Sequence, residues 1–124
     1  MDSKWDTTYT DLNNVIGISR GDCKRFLKYL MQFKELIPER LIDVRNALDL
    51  HDRVLIRQIL HKMSPQLQFF GIKDVGIPIQ RLEFEYESMP FIELEILVND
   101  IIVKLEDALE EISKLIDSNF EKPS

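Results

Sequence analysis

The feature that most constrains this sequence is one apolar stripe that keeps helical phase across a proline. Large apolar residues recur every three or four positions from residue 26 to residue 48, and Pro38 does not shift their phase. Asp22, just before the stripe, is a residue type that caps helix N-termini. The pattern predicts one long helix over about 22–48, bent at Pro38 because proline removes a backbone donor. The stripe consists of Phe26, Leu27, Leu30, Phe33, Ile37, Leu41, Val44 and Leu48.

A short helix is predicted before this stripe. Four apolar residues recur at helical spacing ahead of a break at residues 17–22. Thr8 or Thr10 is expected to cap this helix, since threonine side chains accept hydrogen bonds from the first free amides of a helix. The four apolar residues are Tyr9, Leu12, Val15 and Ile16.

A third stripe follows a tight connection at residues 49–52. Its apolar residues are spaced by 4, 3, 4 and 3 positions. Asp52 stands where an N-cap is expected, and Gly71 follows the stripe as a stop signal. The spacing therefore predicts a helix that begins after Asp52 and ends before Gly71. The stripe consists of Ile56, Leu60, Met63, Leu67 and Phe70.

The last third of the chain admits two interpretations. Residues 82–87 and 92–96 alternate apolar and polar positions, which is typical of a β-hairpin turning at residues 88–90. The wider pattern favours two helices, because apolar spacings of three and four persist on both sides and because a lone hairpin would leave exposed edges. The helical stripes are Val75, Ile79, Leu82 and Tyr86, then Leu94, Leu97, Ile101, Leu105, Ala108, Ile112 and Leu115.

Together these patterns predict an all-α protein. The chain has 124 residues, a length that suits one domain. We expect residues 1–124 to form a single helical domain whose core spans about 9–116. Four of the helices are expected to form an antiparallel four-helix bundle, with the short N-terminal helix added beside it.

Charge and composition exclude several classes of protein. The net charge of −6 argues against nucleic-acid binding and against anionic membranes, which both require clustered Lys and Arg. Residues 1–10 lack the basic start and apolar run of a signal peptide, and no apolar run is long enough for a membrane span. Cys23 is the only cysteine, so no internal disulfide can form. We therefore expect a cytoplasmic protein.

The candidate functional residue is His61. The apolar stripe of its helix centres on Met63, and because a helix advances about 100° per residue, His61 lies about 200° from that centre. Its neighbours on the same face are all polar or small. The pattern therefore predicts an imidazole that points to solvent, with a surface histidine of no special role as the alternative interpretation. The neighbours are Arg57, Ser64, Pro65 and Gln68.

The sequence lacks the motifs that would indicate hydrolysis or metal binding by this histidine. It contains no Ser-His-Asp pattern and no glycine-rich phosphate loop, and the only other histidine, His51, is predicted to stand in a turn. Neither hydrolysis nor a metal site is therefore indicated. An exposed imidazole is nucleophilic at cellular pH and can pass a phosphoryl group between partners without a pocket. Arg57 and Lys62 are the nearby cations expected to tolerate a phosphoryl dianion.

The residues around His61 also follow a known spacing. Met63 stands two positions after the histidine, and Phe70-Gly71 stand nine and ten positions after it. A Gly21-Asp22 pair opens the long helix, and Pro38 lies in its middle. In these features the sequence resembles the histidine-containing phosphotransfer (HPt) domain of multistep two-component phosphorelays, over about residues 9–116. The resemblance implies that the imidazole Nε2 takes a phosphoryl group from one receiver-domain aspartate and gives it to another.

The resemblance also implies which residues assist. Ser64 and Pro65 stand where the family commonly has lysine and glycine. Ser64 would then donate a hydrogen bond to the phosphoryl group, while Lys62 supplies charge from a different angle. Proline has no N–H, so the carbonyl of His61 loses its helical partner four residues on.

The partners implied are response-regulator receiver domains and a hybrid sensor histidine kinase. Docking is expected on the flank that includes Pro65, Gln68 and Phe69. The chain itself would hold no cofactor, because the receiver domain carries the Mg²⁺. The departures at positions 64 and 65 leave one alternative open: a catalytically silent helical adaptor that binds receiver or other signalling domains. A helical di-metal enzyme is the weaker option, since no Glu-x-x-His pair is present.

Overall fold

The computed structural model describes residues 7–121, and most of these residues are helical. They form five helices and, apart from one isolated bridge, no β-structure. The all-α prediction is confirmed, and the hairpin interpretation is wrong, because residues 82–85 and 92–96 lie inside helices. The ends of the predicted domain, residues 1–6 and 122–124, lie outside the described residues, as does most of the segment judged for a signal peptide. The helices are α1 (Asn13–Ser19), α2 (Cys23–Asp49), α3 (Arg53–Phe69), α4 (Gly76–Glu85) and α5 (Phe91–Glu121).

Aspartate caps fix the starts of the two central helices. The Asp22 side chain accepts hydrogen bonds from the first amides of α2, at 3.0 and 3.3 Å. The Asp52 side chain accepts from the amide of Leu55 at 3.0 Å at the start of α3. Both predicted caps are confirmed, and α2 continues as one helix through Pro38. The start of the histidine helix is therefore set by a local signal in the sequence.

The predicted cap of the first helix is wrong. Helix α1 begins after Leu12, which offers no side-chain cap, and it runs through Gly17 to residue 19. Thr8 and Thr10 lie too far upstream and have another partner: the amide of Thr8 and the hydroxyl of Thr10 both donate to the Glu111 carboxylate. The hydroxyl of Thr10 is thus engaged 101 residues away in sequence, while the Asp11 side chain accepts from the first amide of α1 at 3.1 Å.

The helices share one apolar core. Helix α2 packs on α3 and α5, α4 packs on α3 and α5, and α1 packs on α2. Buried residues from all five helices form one contiguous cluster. None of the helices in the described part of the chain is long and apolar enough to cross a membrane. The largest fully buried side chains are Phe33, Leu12, Leu30, Ile37, Ile56, Leu60, Met63, Leu67, Leu82, Leu94, Ile101 and Leu105.

The histidine helix ends in a Schellman motif at Gly71. This glycine has a φ of 60°, in the left-handed region. Its amide donates to the carbonyl of Gln68 at 3.0 Å, and the amide of Ile72 donates to the carbonyl of Leu67 at 2.9 Å. The predicted stop at Gly71 is confirmed, because this 6→1 and 5→2 bonding pattern favours glycine in the left-handed position.

A segment that we call the N-terminal strap, residues 7–11, crosses this helix end. The amide of Asp11 donates to the carbonyl of Gly71 at 2.8 Å, and the amide of Lys73 donates to the carbonyl of Tyr9 at 3.0 Å. A Cβ placed on Gly71 would lie 2.0 Å from the carbonyl oxygen of Asp11. Glycine is therefore required at this position by the close approach of the strap as well as by its φ.

Candidate functional site at His61

His61 lies on the outer face of α3. Its side chain is 57% exposed, whereas Met63, two residues further on, is fully buried. This is the arrangement that the apolar period predicts, since positions two residues apart on a helix face in nearly opposite directions. An approaching protein can therefore reach the imidazole without any rearrangement of the core.

A carboxylate from the neighbouring helix holds one ring nitrogen. Nδ1 of His61 is hydrogen-bonded to Oε1 of Glu83, a residue of α4 that is 30% exposed. A carboxylate can only accept, so Nδ1 must carry the proton in this contact. In the neutral ring the other nitrogen, Nε2, then has the free lone pair, because the hydrogen bond at one nitrogen decides the protonation of the other. The geometry therefore selects Nε2 as the nucleophilic atom.

The two predicted cations take different positions. Lys62 is exposed beside His61. Arg57, one turn before His61, is partly buried, and its guanidinium carbon lies 5.9 Å from the centre of the ring of Tyr86, the residue that follows α4. Neither makes a hydrogen bond or ion pair with His61 within residues 7–121. The sequence locates both residues correctly on the helix, but it does not reveal that the guanidinium turns towards α4.

Ser64 and Gln68 line a groove between α3 and α4. The groove has a volume of about 510 Å³, and Glu83 forms part of its wall together with Gln80 and Ile77. Ile77 is 81% exposed. The seam between the two helices thus presents hydroxyl, amide and carboxylate groups and one exposed apolar side chain beside the imidazole.

The predicted docking residues differ in exposure. Pro65 and Gln68 are exposed on the outer face of α3. Phe69 is partly buried, and its ring meets Tyr29 of α2 edge-on with a centroid distance of 5.7 Å. Only part of the Phe69 ring is therefore open to a partner, while the rest joins α3 to α2.

The other histidine belongs to a different part of the molecule. His51 stands in the turn between α2 and α3, as predicted, with a φ of 53°. Its ring stacks on Phe91 at the start of α5, with the two centroids 4.1 Å apart. No group of three His, Cys, Asp or Glu residues that could hold a metal ion occurs within residues 7–121.

Glu83 is the site residue that the sequence did not indicate. It lies in the segment whose alternating pattern resembles a strand, where its neighbours on both sides are apolar. Once this segment is taken as a helix, Glu83 follows the core residue Leu82 and falls at the edge of the buried stripe. A polar residue at such an edge faces the adjacent helix, and this is the signal that could have identified it.

Comparison with known proteins adds no relative. No protein-family model, curated protein or solved structure matches this chain. The function has to be inferred from the contacts of His61 itself.

Proposed function

We propose that this chain is a histidine phosphotransfer module that relays a phosphoryl group between receiver-domain aspartates through His61. The observation that carries the proposal is the exposed imidazole whose Nδ1 is bound by Glu83. This contact leaves the Nε2 lone pair free, on the side of the ring away from the Glu83 carboxylate, where an incoming acyl phosphate can meet it. A histidine held in this way needs no pocket, because the partner brings the phosphoryl group to it.

The transfer step is an in-line displacement at phosphorus. The Nε2 lone pair of His61 forms the N–P bond as the P–O bond to the aspartate breaks, and the bonding electrons leave with the aspartate carboxylate. The reverse step, with a second receiver aspartate as nucleophile, discharges the module. The receiver domain would carry the Mg²⁺ that neutralises the phosphoryl oxygens, so the relay asks for no cofactor on this chain.

Glu83 has an electrostatic role in this step. As Nε2 bonds to phosphorus, the ring becomes an imidazolium and shares its positive charge with Nδ1–H. The carboxylate of Glu83 already accepts that N–H and stabilises the developing charge without moving. Glu83 would thus act on His61 as the aspartate of a Ser-His-Asp triad acts on its histidine, by holding Nδ1–H and stabilising the imidazolium.

The remaining predicted residues keep their proposed roles on this face. Lys62 and Ser64 stand next to the imidazole and one turn after it, where a cation and a hydroxyl can meet phosphoryl oxygens. Pro65 and Gln68 offer an exposed docking flank, together with the open part of Phe69.

We also propose the finer architecture and setting of the module. The closed cycle of packing from α2 through α3, α4 and α5 back to α2, with short turns between them, supports an antiparallel four-helix bundle with α1 added beside it. Residues 1–124 would form one domain, and the relay would operate in the cytoplasm with receiver domains and a hybrid sensor kinase as partners.

The decisive experiment uses the two histidines as a matched pair. A panel of receiver domains, phosphorylated with a radiolabel, is mixed with the wild-type chain, His61→Gln and His51→Gln. We expect label on the wild type and on His51→Gln, and none on His61→Gln, whose helical circular dichroism should be unchanged. Label that persists on His61→Gln would overturn the proposal.

A second variant tests the carboxylate. Glu83→Gln keeps the size of the side chain but replaces a charge-assisted hydrogen bond with a neutral one, and the amide can present a donor instead of an acceptor. The difference of about 1.4 kcal/mol between such bonds corresponds to roughly tenfold slower phosphorylation. An unchanged rate would show that the contact with Glu83 does not assist the transfer.

The adaptor alternative rests on Ser64 and Pro65, which replace the lysine and glycine common in the family. The same panel distinguishes it: a receiver that binds His61→Gln as tightly as the wild type, with no label on either chain, would support an adaptor. Binding that is accompanied by labelling of the wild type alone supports the relay.

A further inference from the structure

The position of Arg57 is unusual for a charged side chain. Its guanidinium lies over the ring of Tyr86, and its Nε is buried with no hydrogen-bond partner. A buried donor without a partner is unfavourable, because it has lost water and gained no acceptor. In its position over the Tyr86 ring, the Arg57 guanidinium therefore makes a cation–π contact but leaves its Nε–H without an acceptor.

The carboxylates of α4 and of the turn that follows it do not complete this bonding. Glu83 is bonded to His61. Glu87 is the hydrogen-bond partner of the Tyr86 phenol, and this contact is the first cause that raises the pKa of Tyr86. Within residues 7–121 no ion pair to Arg57 is formed, in a chain with 22 acidic residues. The guanidinium is thus held by a ring face and remains available to an anion.

An anion at Nε2 of His61 would lie within its reach. Arg57 and His61 are four residues apart on α3, a spacing that makes them neighbours about 40° apart on the helix surface. Guanidinium binds a phosphoryl group through two parallel N–H donors, which can include the Nε–H that is unpaired here. Rotation about the side-chain bonds of Arg57 would carry the guanidinium from Tyr86 towards this anion.

We propose that Arg57 has two positions: on Tyr86 when His61 is unmodified, and on the phosphoryl oxygens when Nε2 carries the phosphoryl group. This inference rests on the proposed function, because it assumes that His61 is phosphorylated. Tyr86 is a positioning residue in this scheme, since it holds the guanidinium beside the site without touching the phosphoryl group. Departure of Arg57 uncovers the ring of Tyr86, so the seam between α3 and α4 differs in surface between the two states.

The test uses phosphoramidate, a small donor that makes receiver domains unnecessary. Its P–N bond breaks, ammonia leaves, and Nε2 of His61 forms the new bond to phosphorus. Phosphorus NMR confirms the modification, nitrogen–proton NMR follows the Arg57 Nε–H, and carbon–proton NMR follows the ring protons of Tyr86. We expect both sets of resonances to shift on phosphorylation, with the Arg57 signal moving downfield as it gains a charged acceptor.

Three variants distinguish the two-position arrangement of Arg57 from a fixed structural contact. Tyr86→Phe keeps the ring face, so the Arg57 Nε–H resonance should be preserved in both the unmodified and the phosphorylated protein. Tyr86→Leu removes the ring and should change this resonance in the unmodified protein only. Arg57→Lys should keep the fold, and we expect about fivefold faster loss of the phosphoryl group because bidentate binding is lost. An Arg57 signal that stays in place in the phosphorylated protein would overturn the inference.

The outcomes for the two proposals differ. If phosphoramidate modifies His61 and Arg57 moves, yet no receiver transfers its phosphoryl group, the two-position inference stands and the relay fails. If His61 does not react with phosphoramidate, both are overturned, because both depend on a nucleophilic Nε2.

Discussion

One substitution, Gly71→Ala, measures how much the contact between the N-terminal strap and the end of the histidine helix contributes to the free energy of unfolding. An alanine in the left-handed region costs about 1 kcal/mol. The new Cβ would lie 2.0 Å from the carbonyl oxygen of Asp11, so the strap must also move. That movement breaks two backbone hydrogen bonds, from Asp11 to Gly71 and from Lys73 to Tyr9. At about 1 kcal/mol for each bond, the expected loss is about 3 kcal/mol in the free energy of unfolding.

Two other glycines provide matched controls. Gly21 has a φ of 79° but no atom within 4 Å of an added Cβ, so Gly21→Ala should carry only the backbone term of about 1 kcal/mol. Gly17 lies within α1, also with open space around it, and Gly17→Ala should stabilise the protein by about 0.5–1 kcal/mol. The three variants thus separate three contributions to the free energy of unfolding: the clash with the strap, the left-handed backbone conformation and helix propensity.

The assay is equilibrium urea unfolding followed by far-UV circular dichroism. We expect the order of stability Gly17→Ala, wild type, Gly21→Ala, Gly71→Ala, with similar denaturant slopes in all four proteins. Equal losses for Gly71→Ala and Gly21→Ala would refute the reasoning, because the strap would then make no close contact with the helix end.

Three further predictions concern the elements that frame the site. Asp52→Ala removes the N-cap of the histidine helix and should lower the free energy of unfolding by about 1 kcal/mol in the same assay, while Asp52→Asn should retain most of it. Arg53 donates from one nitrogen, Nη1, to the carbonyls of Tyr86 and Met89, so Arg53→Met, which removes both hydrogen bonds, should lower the free energy of unfolding by about 1–2 kcal/mol in the same assay. The hydrogen bond to Glu87, and secondarily burial, raises the pKa of Tyr86 above its usual 10.0, so the stability this gives is complete below pH 10.0 and is lost as pH rises through the raised pKa. A spectrophotometric titration should show that Glu87→Gln moves this ionisation back towards 10.0.

The parts of the site that the sequence predicts are those set within one helix. The outward direction of His61 follows from its angle to Met63, and the start of α3 follows from the capping chemistry of Asp52. Both depend on residues fewer than ten positions apart, where the helical period leaves little freedom. The end of α3 at Gly71 is also set locally, by the Schellman motif. The second reason for glycine there, the close approach of the strap, involves residues near the N-terminus and is not visible in the local sequence.

The parts that the sequence does not predict depend on contacts between helices. Glu83 is one of many carboxylates on exposed or half-exposed positions, and only the packing of α4 against α3 brings it to His61. The periodic pattern also fixes the Cβ of Arg57 but not the rotation that carries its guanidinium to Tyr86. The cap predicted at Thr10 is wrong because its hydroxyl donates to Glu111, which lies too far away in sequence for any local rule to indicate the contact.

The bond between His61 and Glu83 joins residues of two different helices, and this has a consequence for the chemical product. A peptide with the sequence of α3 would contain the same imidazole, but neither nitrogen would be reserved for the proton. Such a peptide, treated with phosphoramidate, would give a mixture of the Nδ1-linked and Nε2-linked isomers, whereas the native chain would give the Nε2-linked isomer alone. The isomer ratio would then report whether α4 is docked, and an isomer-selective antibody would serve as a probe of tertiary structure.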